Sequence, residues 1–184
     1  MKYQVPYFGE LDLEQLEDYY EIEIEILGNN IQLDLNFDNA KVEMNKLHLI
    51  CENLKNLDKL NNQNKIEIRS DFKKNGEVTH YIDNALESLN LKEQNNIINN
   101  ISKSKSDEGF LSKTTLILRD LFVSKQSSKN TFLEAIKLKR IGFYPDVENA
   151  GIVSDYTLSR EHLDELVVVF RKLDGTFDGI SIES

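Results

Sequence analysis

In Tyr20-Glu21-Ile22-Glu23-Ile24-Glu25-Ile26-Leu27-Gly28-Asn29-Asn30-Ile31-Gln32-Leu33-Asp34-Leu35-Asn36-Phe37, apolar and polar side chains exchange places at nearly every step. Successive strand residues project to opposite faces, so Ile22, Ile24 and Ile26 share one side of a first arm and Glu21, Glu23 and Glu25 the other. The second arm repeats the pattern, with Ile31, Leu33, Leu35 and Phe37 opposing Gln32, Asp34, Asn36 and Asp38. Between the arms, Gly28-Asn29-Asn30 supplies residues that tolerate positive φ. The stretch predicts an antiparallel hairpin with one buried and one strongly negative face. Carboxylates on neighbouring strands repel, so such a face serves solubility or awaits something positive.

Outward from the hairpin the periodicity changes. Before it, Asp12 to Tyr19 reads as a short turn or single helical turn, with Leu11, Leu13 and Leu16 covering a core edge. After it, Val42, Leu47, Leu49, Ile50, Leu54, Leu57 and Leu60 recur at helical spacing, which predicts one amphipathic helix from Asn39 to Asn61 capped by Asp38 or Asn39. Further helices are expected over Lys65–Lys73, Val78–Leu89 and Glu93–Ile101, and over the run from Leu116 to Phe122, where the β-branched Thr114 and Thr115 leave a strand open. Gln126–Asn130 reads as a polar linker, and Ser102–Gly109 as the most mobile stretch. Strands return at the end: Ile136 to Phe143, with imperfect alternation, then Ile152–Leu158, Leu166–Phe170 and Phe177–Ile182, with Asp174-Gly175 turning the last hairpin. Strands bracket a helical middle. The expected fold is a single α+β domain over residues 1–184, an antiparallel sheet built from the first hairpin and the C-terminal strands, with helices on one face.

Composition narrows the function. The 184 residues carry 22 basic and 32 acidic side chains, net −10, and 40% are hydrophobic. That sufficiency of apolar residues suits one substantial core. The charge disfavours binding to nucleic acid or to an anionic membrane and leaves a basic protein partner or a cation open. It is concentrated early: residues 1–60 hold 5 Lys and 13 Asp or Glu, and no basic residue occurs between Tyr3 and Ala40. A lone Cys51 excludes an internal disulfide and cysteine-based zinc, and fits a reducing compartment. With no apolar leader at Met1–Gly9 and no membrane-length run, the expected location is the cytoplasm.

Motifs for chemistry are sparse. The eight glycines form no phosphate-binding spacing, and His48, His80 and His162 are scattered with no nucleophile elbow. No cofactor and no metal is expected. His48 and Cys51 stand three apart on one helical face, a spacing better explained by a core-edge cysteine beside a satisfied histidine. Asp155, His162, Asp164 and Glu165 form the nearest approach to a ligand set, and carry the alternative reading of a metal-dependent hydrolase or metal-binding protein. Arg140 with Asp146 or Asp155 is expected as a structural ion pair. The leading reading is a nonenzymatic, immunity-like interaction module in which Glu21, Glu23, Glu25, Asp34 and Asp38 attract a basic protein and Tyr19 and Tyr20 anchor it. A homo-oligomer through terminal strands is a third reading.

Tyr7-Phe8-Gly9-Glu10-Leu11, the acidic hairpin, Arg140-Ile141-Gly142-Phe143-Tyr144-Pro145-Asp146, Asp155-Tyr156-Thr157 and the closing Glu183-Ser184 together resemble a bacterial family built on the domain of unknown function numbered two thousand and four. The resemblance covers roughly the first 40 and last 55 residues. It implies a small bacterial intracellular protein and carries no catalytic set onto residues of this chain.

Overall fold

A computed structural model describes residues 1–26, 28–38, 41–97, 125–159 and 163–184. Its centre is a six-stranded sheet in the order β3-β4-β5-β6-β7-β8, comprising β3 (Tyr19–Ile26), β4 (Asn29–Asn36), β5 (Lys137–Phe143), β6 (Ile152–Thr157), β7 (Leu166–Arg171) and β8 (Phe177–Glu183). The first hairpin forms as its alternation predicts. β3 and β4 pair antiparallel at eight consecutive positions, from Tyr19 with Asn36 to Ile26 with Asn29, and Gly28 turns the chain at φ 70°. β5 to β8 form an antiparallel meander, and Gly175 makes its last turn at φ 86°. The one parallel seam joins β4 to β5, where Asp34 lies beside Gly142. Parallel neighbours require a crossover, and here the helical middle supplies it. The fold is α+β with the helices against one face of the sheet.

The helices are α1 (Met44–Lys55), α2 (Leu57–Lys73), α3 (Glu77–Ser88) and α4 (Lys125–Ala135), with residues 91–97 also helical. The single helix expected over Asn39–Asn61 is two. Asn56 breaks it at φ −124°, ψ 33°, and its side-chain amide donates to the Glu52 carbonyl at 2.8 Å. Asparagine competes with the helix for backbone partners, while Leu54, Leu57 and Leu60 carry the apolar stripe across the break and conceal it. The start also moves, because Glu43 rather than Asp38 precedes the first turn and caps it without a side-chain bond; Asn39 lies outside the described residues. Past the break, α2 absorbs the segment expected at Lys65–Lys73. Gln126–Asn130 belongs to α4 and is no linker: Phe132 and Ala135 are buried, and Lys129 donates to Asp83 at 2.7 Å. The helix expected at Leu116–Phe122, the stretch Ser102–Gly109 and the end of Glu93–Ile101 lie outside the described residues.

A second sheet was not legible in advance. β1 (Lys2–Val5) and β2 (Gly9–Asp12) pair antiparallel around Pro6-Tyr7-Phe8, with Tyr7 at φ 69° and Gly9 at φ 81°. Val5 and Leu11, with Leu16, join the main core.

That core lies between the helices and the inner face of the large sheet. Ile31, Leu33, Leu35, Ile141, Phe143, Ile152, Tyr156, Val167 and Val169 meet Leu47, Ile50, Leu54, Tyr81 and Ile82 in one buried cluster. Polar struts cross it. Tyr156 donates to Asn61 Oδ1 at 3.0 Å, and Arg171 Nε to Asn64 Oδ1 at 2.6 Å. Both bonds tie α2 to the sheet and satisfy the atoms that make them, while Asn64 Nδ2 and Arg171 Nη2 stay buried without a hydrogen-bond partner among the described residues.

Candidate functional site

The outer face of the sheet carries the carboxylates of the first hairpin and Arg140, and a β-bulge sets its centre. On β5, Leu138 pairs with Tyr156 and Ile141 with Ser154, so three steps on one strand match two on the other. The extra residue lets Leu138 and Ile141 both enter the core, where strict alternation would part them. It also turns Arg140 outward. There Arg140 Nε and Nη2 grip Asp34 Oδ1 and Oδ2 at 2.7 and 2.9 Å, and Nη1 reaches Asp155 Oδ2 at 3.1 Å. Nη2 also donates to the Tyr144 hydroxyl, and the guanidinium lies 5.8 Å from the Tyr144 ring centre.

Three strands therefore meet through one arginine. Asp34 is fully buried, and its Oδ2 also accepts from Asn36 Nδ2 at 2.5 Å. A bidentate, charge-assisted pair is the arrangement in which a buried carboxylate is compensated. Burial works against the Arg140 charge, yet the bonds from Asp34, Tyr144 and Asp155 raise its pKa well above the ordinary value. Burial pushes the Asp155 carboxyl above the usual range; its Arg140 bond opposes this, and the charges of Asp34 and Glu183 add to it. Gly142 makes the space. A Cβ there would stand 2.7 Å from Arg140 Nη2 and 2.8 Å from Asp34 Oδ2.

The other expected anchors divide. Glu21, Glu23 and Glu25 are exposed on the outer side of β3 with Tyr19 beside them, and none is ion-paired to a Lys or Arg among the described residues. Tyr19 donates to Glu21 Oε2 at 2.5 Å; that bond, with some burial and the Asp34 charge, pushes its hydroxyl up to about 12. Asp38 is exposed just past β4. Asp34 departs from the expectation, because Arg140 occupies both its oxygens and no surface is left for a partner. Tyr20 departs too. It shares the parity of Ile22 and Ile24, packs edge-on to Phe37 with ring centres 6.0 Å apart, and accepts from the Glu17 backbone N–H at 2.8 Å.

Of the alternative metal set, Asp155, Asp164 and Glu165 lie among the described residues and are not brought together as a group of ligands. Asp155 faces outward beneath Arg140, whereas Glu165 lies close enough to act on Tyr81, which is in the inner core. Asp164 is exposed, and His162 lies outside the described residues. Among the described residues, no group of three His, Cys, Asp or Glu side chains is placed to hold a metal ion. Of the two expected ion pairs, Arg140–Asp155 forms, while Asp146 instead approaches Lys46 Nζ at 3.9 Å. Cys51 is buried, and His48 meets Glu52 at 3.3 Å on the helix surface.

One apolar feature of this face was unforeseen. Val153, Leu166, Val168 and Phe170 stand apart from the main core, and their registry places them on the outer side, beside Asp155 and Ser181. In sequence Leu166, Val168 and Phe170 merge with Val167 and Val169 into one apolar run, which hides their division between faces. A cleft of about 490 Å³ lies elsewhere, between α2, α3 and α4, where Arg69 is already bidentate to Glu134 at 3.0 and 2.9 Å.

No helix among the described residues is long and apolar enough to cross a membrane. No family model matches this chain, and no curated protein or solved structure is similar enough to match it.

Proposed function

We propose that this chain is a nonenzymatic interaction protein that engages a basic protein through the outer side of its first hairpin. The observation that carries the reading is the row Glu21, Glu23 and Glu25, exposed together and in no ion pair with a Lys or Arg among the described residues, on a strand paired along its whole length to β4. Three uncompensated carboxylates on one strand repel each other and raise the local potential that speeds encounter with a cation-bearing surface. Tyr19 stands in the same row and offers a large, partly apolar contact of the kind that anchors interfaces. Asp38 adds charge just beyond the Tyr19 end of the row; Asp34 and Arg140 act as scaffold. On this reading the chain is an immunity-like protein of the bacterial cytoplasm, related to the family it resembles. In support, the segments that carry the resemblance, Arg140–Tyr144 and Asp155–Thr157, are those that build the bridge under the hairpin.

The test is capture from extracts of the native host at stepped salt, comparing the wild type with E21Q/E23Q/E25Q. The expected result is a basic protein retained by the wild type, released as salt rises and lost by the variant. Equal retention by both chains would overturn the reading.

A further inference from the structure

We infer that β3 receives an additional strand from its partner, an extended segment in which Lys or Arg alternates with apolar residues. This rests on the reading above and specifies the conformation of what binds. β3 stands at the edge of the six-stranded sheet, and among the described residues its only strand neighbour is β4. It has eight residues in unbroken register, with no proline, glycine or bulge. Long regular edges of that kind are templates for strand addition, and folded proteins ordinarily interrupt them. The opposite edge, β8, is interrupted: its register slips between Phe170 and Arg171, and Gly179 lies within the strand.

Both faces of β3 specify the incoming side chains. On the inner side Ile22, Ile24 and Ile26 are only half-buried, whereas Ile31 and Leu33, opposite them on β4, are at 1% and 0% exposure. An added strand with apolar residues on that side would finish covering them. On the outer side the same strand would set its alternate residues directly opposite Glu21, Glu23 and Glu25, where a lysine or arginine gains a cross-strand pair. A second copy of β3 cannot meet both requirements at once, because opposing isoleucine to isoleucine also opposes glutamate to glutamate. Depending on which way it turned, it would oppose glutamate to glutamate or glutamate to isoleucine.

The experiment uses the whole chain and two peptides of one composition: eight residues of alternating lysine and valine, and the same residues with the lysines grouped at one end. Affinity at low salt is combined with amide hydrogen exchange over Tyr19–Ile26. The alternating peptide is expected to bind about ten-fold tighter and to slow exchange in β3, with both effects lost in E21Q/E23Q/E25Q. Equal affinities, or binding without added protection of β3, overturn strand addition; if those equal affinities still fall with salt and with E21Q/E23Q/E25Q, attraction of basic partners to the acidic row stands. Failure of both peptides to bind sinks the two together.

Discussion

Arg140 is the residue on which the outer face depends, because it is the only cation within reach of two buried or nearly buried carboxylates among the described residues. Removing one member of a buried pair leaves the other uncompensated, which costs about 3–5 kcal/mol. Arg140→Met is therefore expected to lower stability by that amount in a urea titration, and adding Asp34→Leu to it should restore a large part. Should the double variant prove as unstable as the sum of the two singles, the pair is not coupled as the geometry requires. Asp155 gives a pH signature. Its folded-state pKa is raised above the ordinary 3.8, so between those values the native chain holds a proton that the unfolded chain has released. The stabilisation is complete below the ordinary value and is lost as pH rises through the raised one. Urea midpoints followed upward from that range should fall more steeply for the wild type than for Asp155→Asn. Parallel curves would show that Asp155 titrates alike in both states.

The β5 bulge explains why the alternation of Ile136 to Ile141 looks flawed as a string: Leu138 and Ile141 differ in parity yet both face the core. Inserting one residue after Lys139 would shift Arg140 and Ile141 by a step, driving Arg140 to the inner side and Ile141 to the outer. The expected outcome is loss of the cooperative unfolding transition by circular dichroism, whereas Lys139→Ala, which keeps the residue count, should retain it. Gly142→Ala brings a Cβ against Arg140 and Asp34, an overpacking expected to cost about 1–3 kcal/mol. Long, strongly periodic elements were readable: both arms of the first hairpin, the α3 stripe and the C-terminal strands all stand within a few residues of where their patterns put them. What escaped was whatever a neighbour decides. The break at Asn56 interrupts no hydrophobic spacing, β1 and β2 are four residues each and too short to establish a period, and the partnership of Asp34 with Arg140 spans 106 positions. Alternation alone told that Asp34 lay on the polar side. It did not tell that the far strand would bring an arginine there.

Across the molecule, charge works against stability. With a net charge of −10, self-repulsion opposes the compact state, and the glutamate row on β3 adds to it. E21Q/E23Q/E25Q should therefore melt at the same temperature as the wild type or slightly higher, while its association with basic proteins slows. A fall in melting temperature would mean that the row is structural. The seam between β4 and β5 has a bearing on synthesis as well. During translation the hairpin leaves the ribosome long before the strand that completes it, and at roughly 5–20 residues per second the interval is on the order of ten seconds. Throughout that wait two strand edges are open rather than one, on every nascent chain of a polysome. Like carboxylates set opposite one another repel, so the glutamate row disfavours pairing of β3 with β3 on neighbouring chains during that interval.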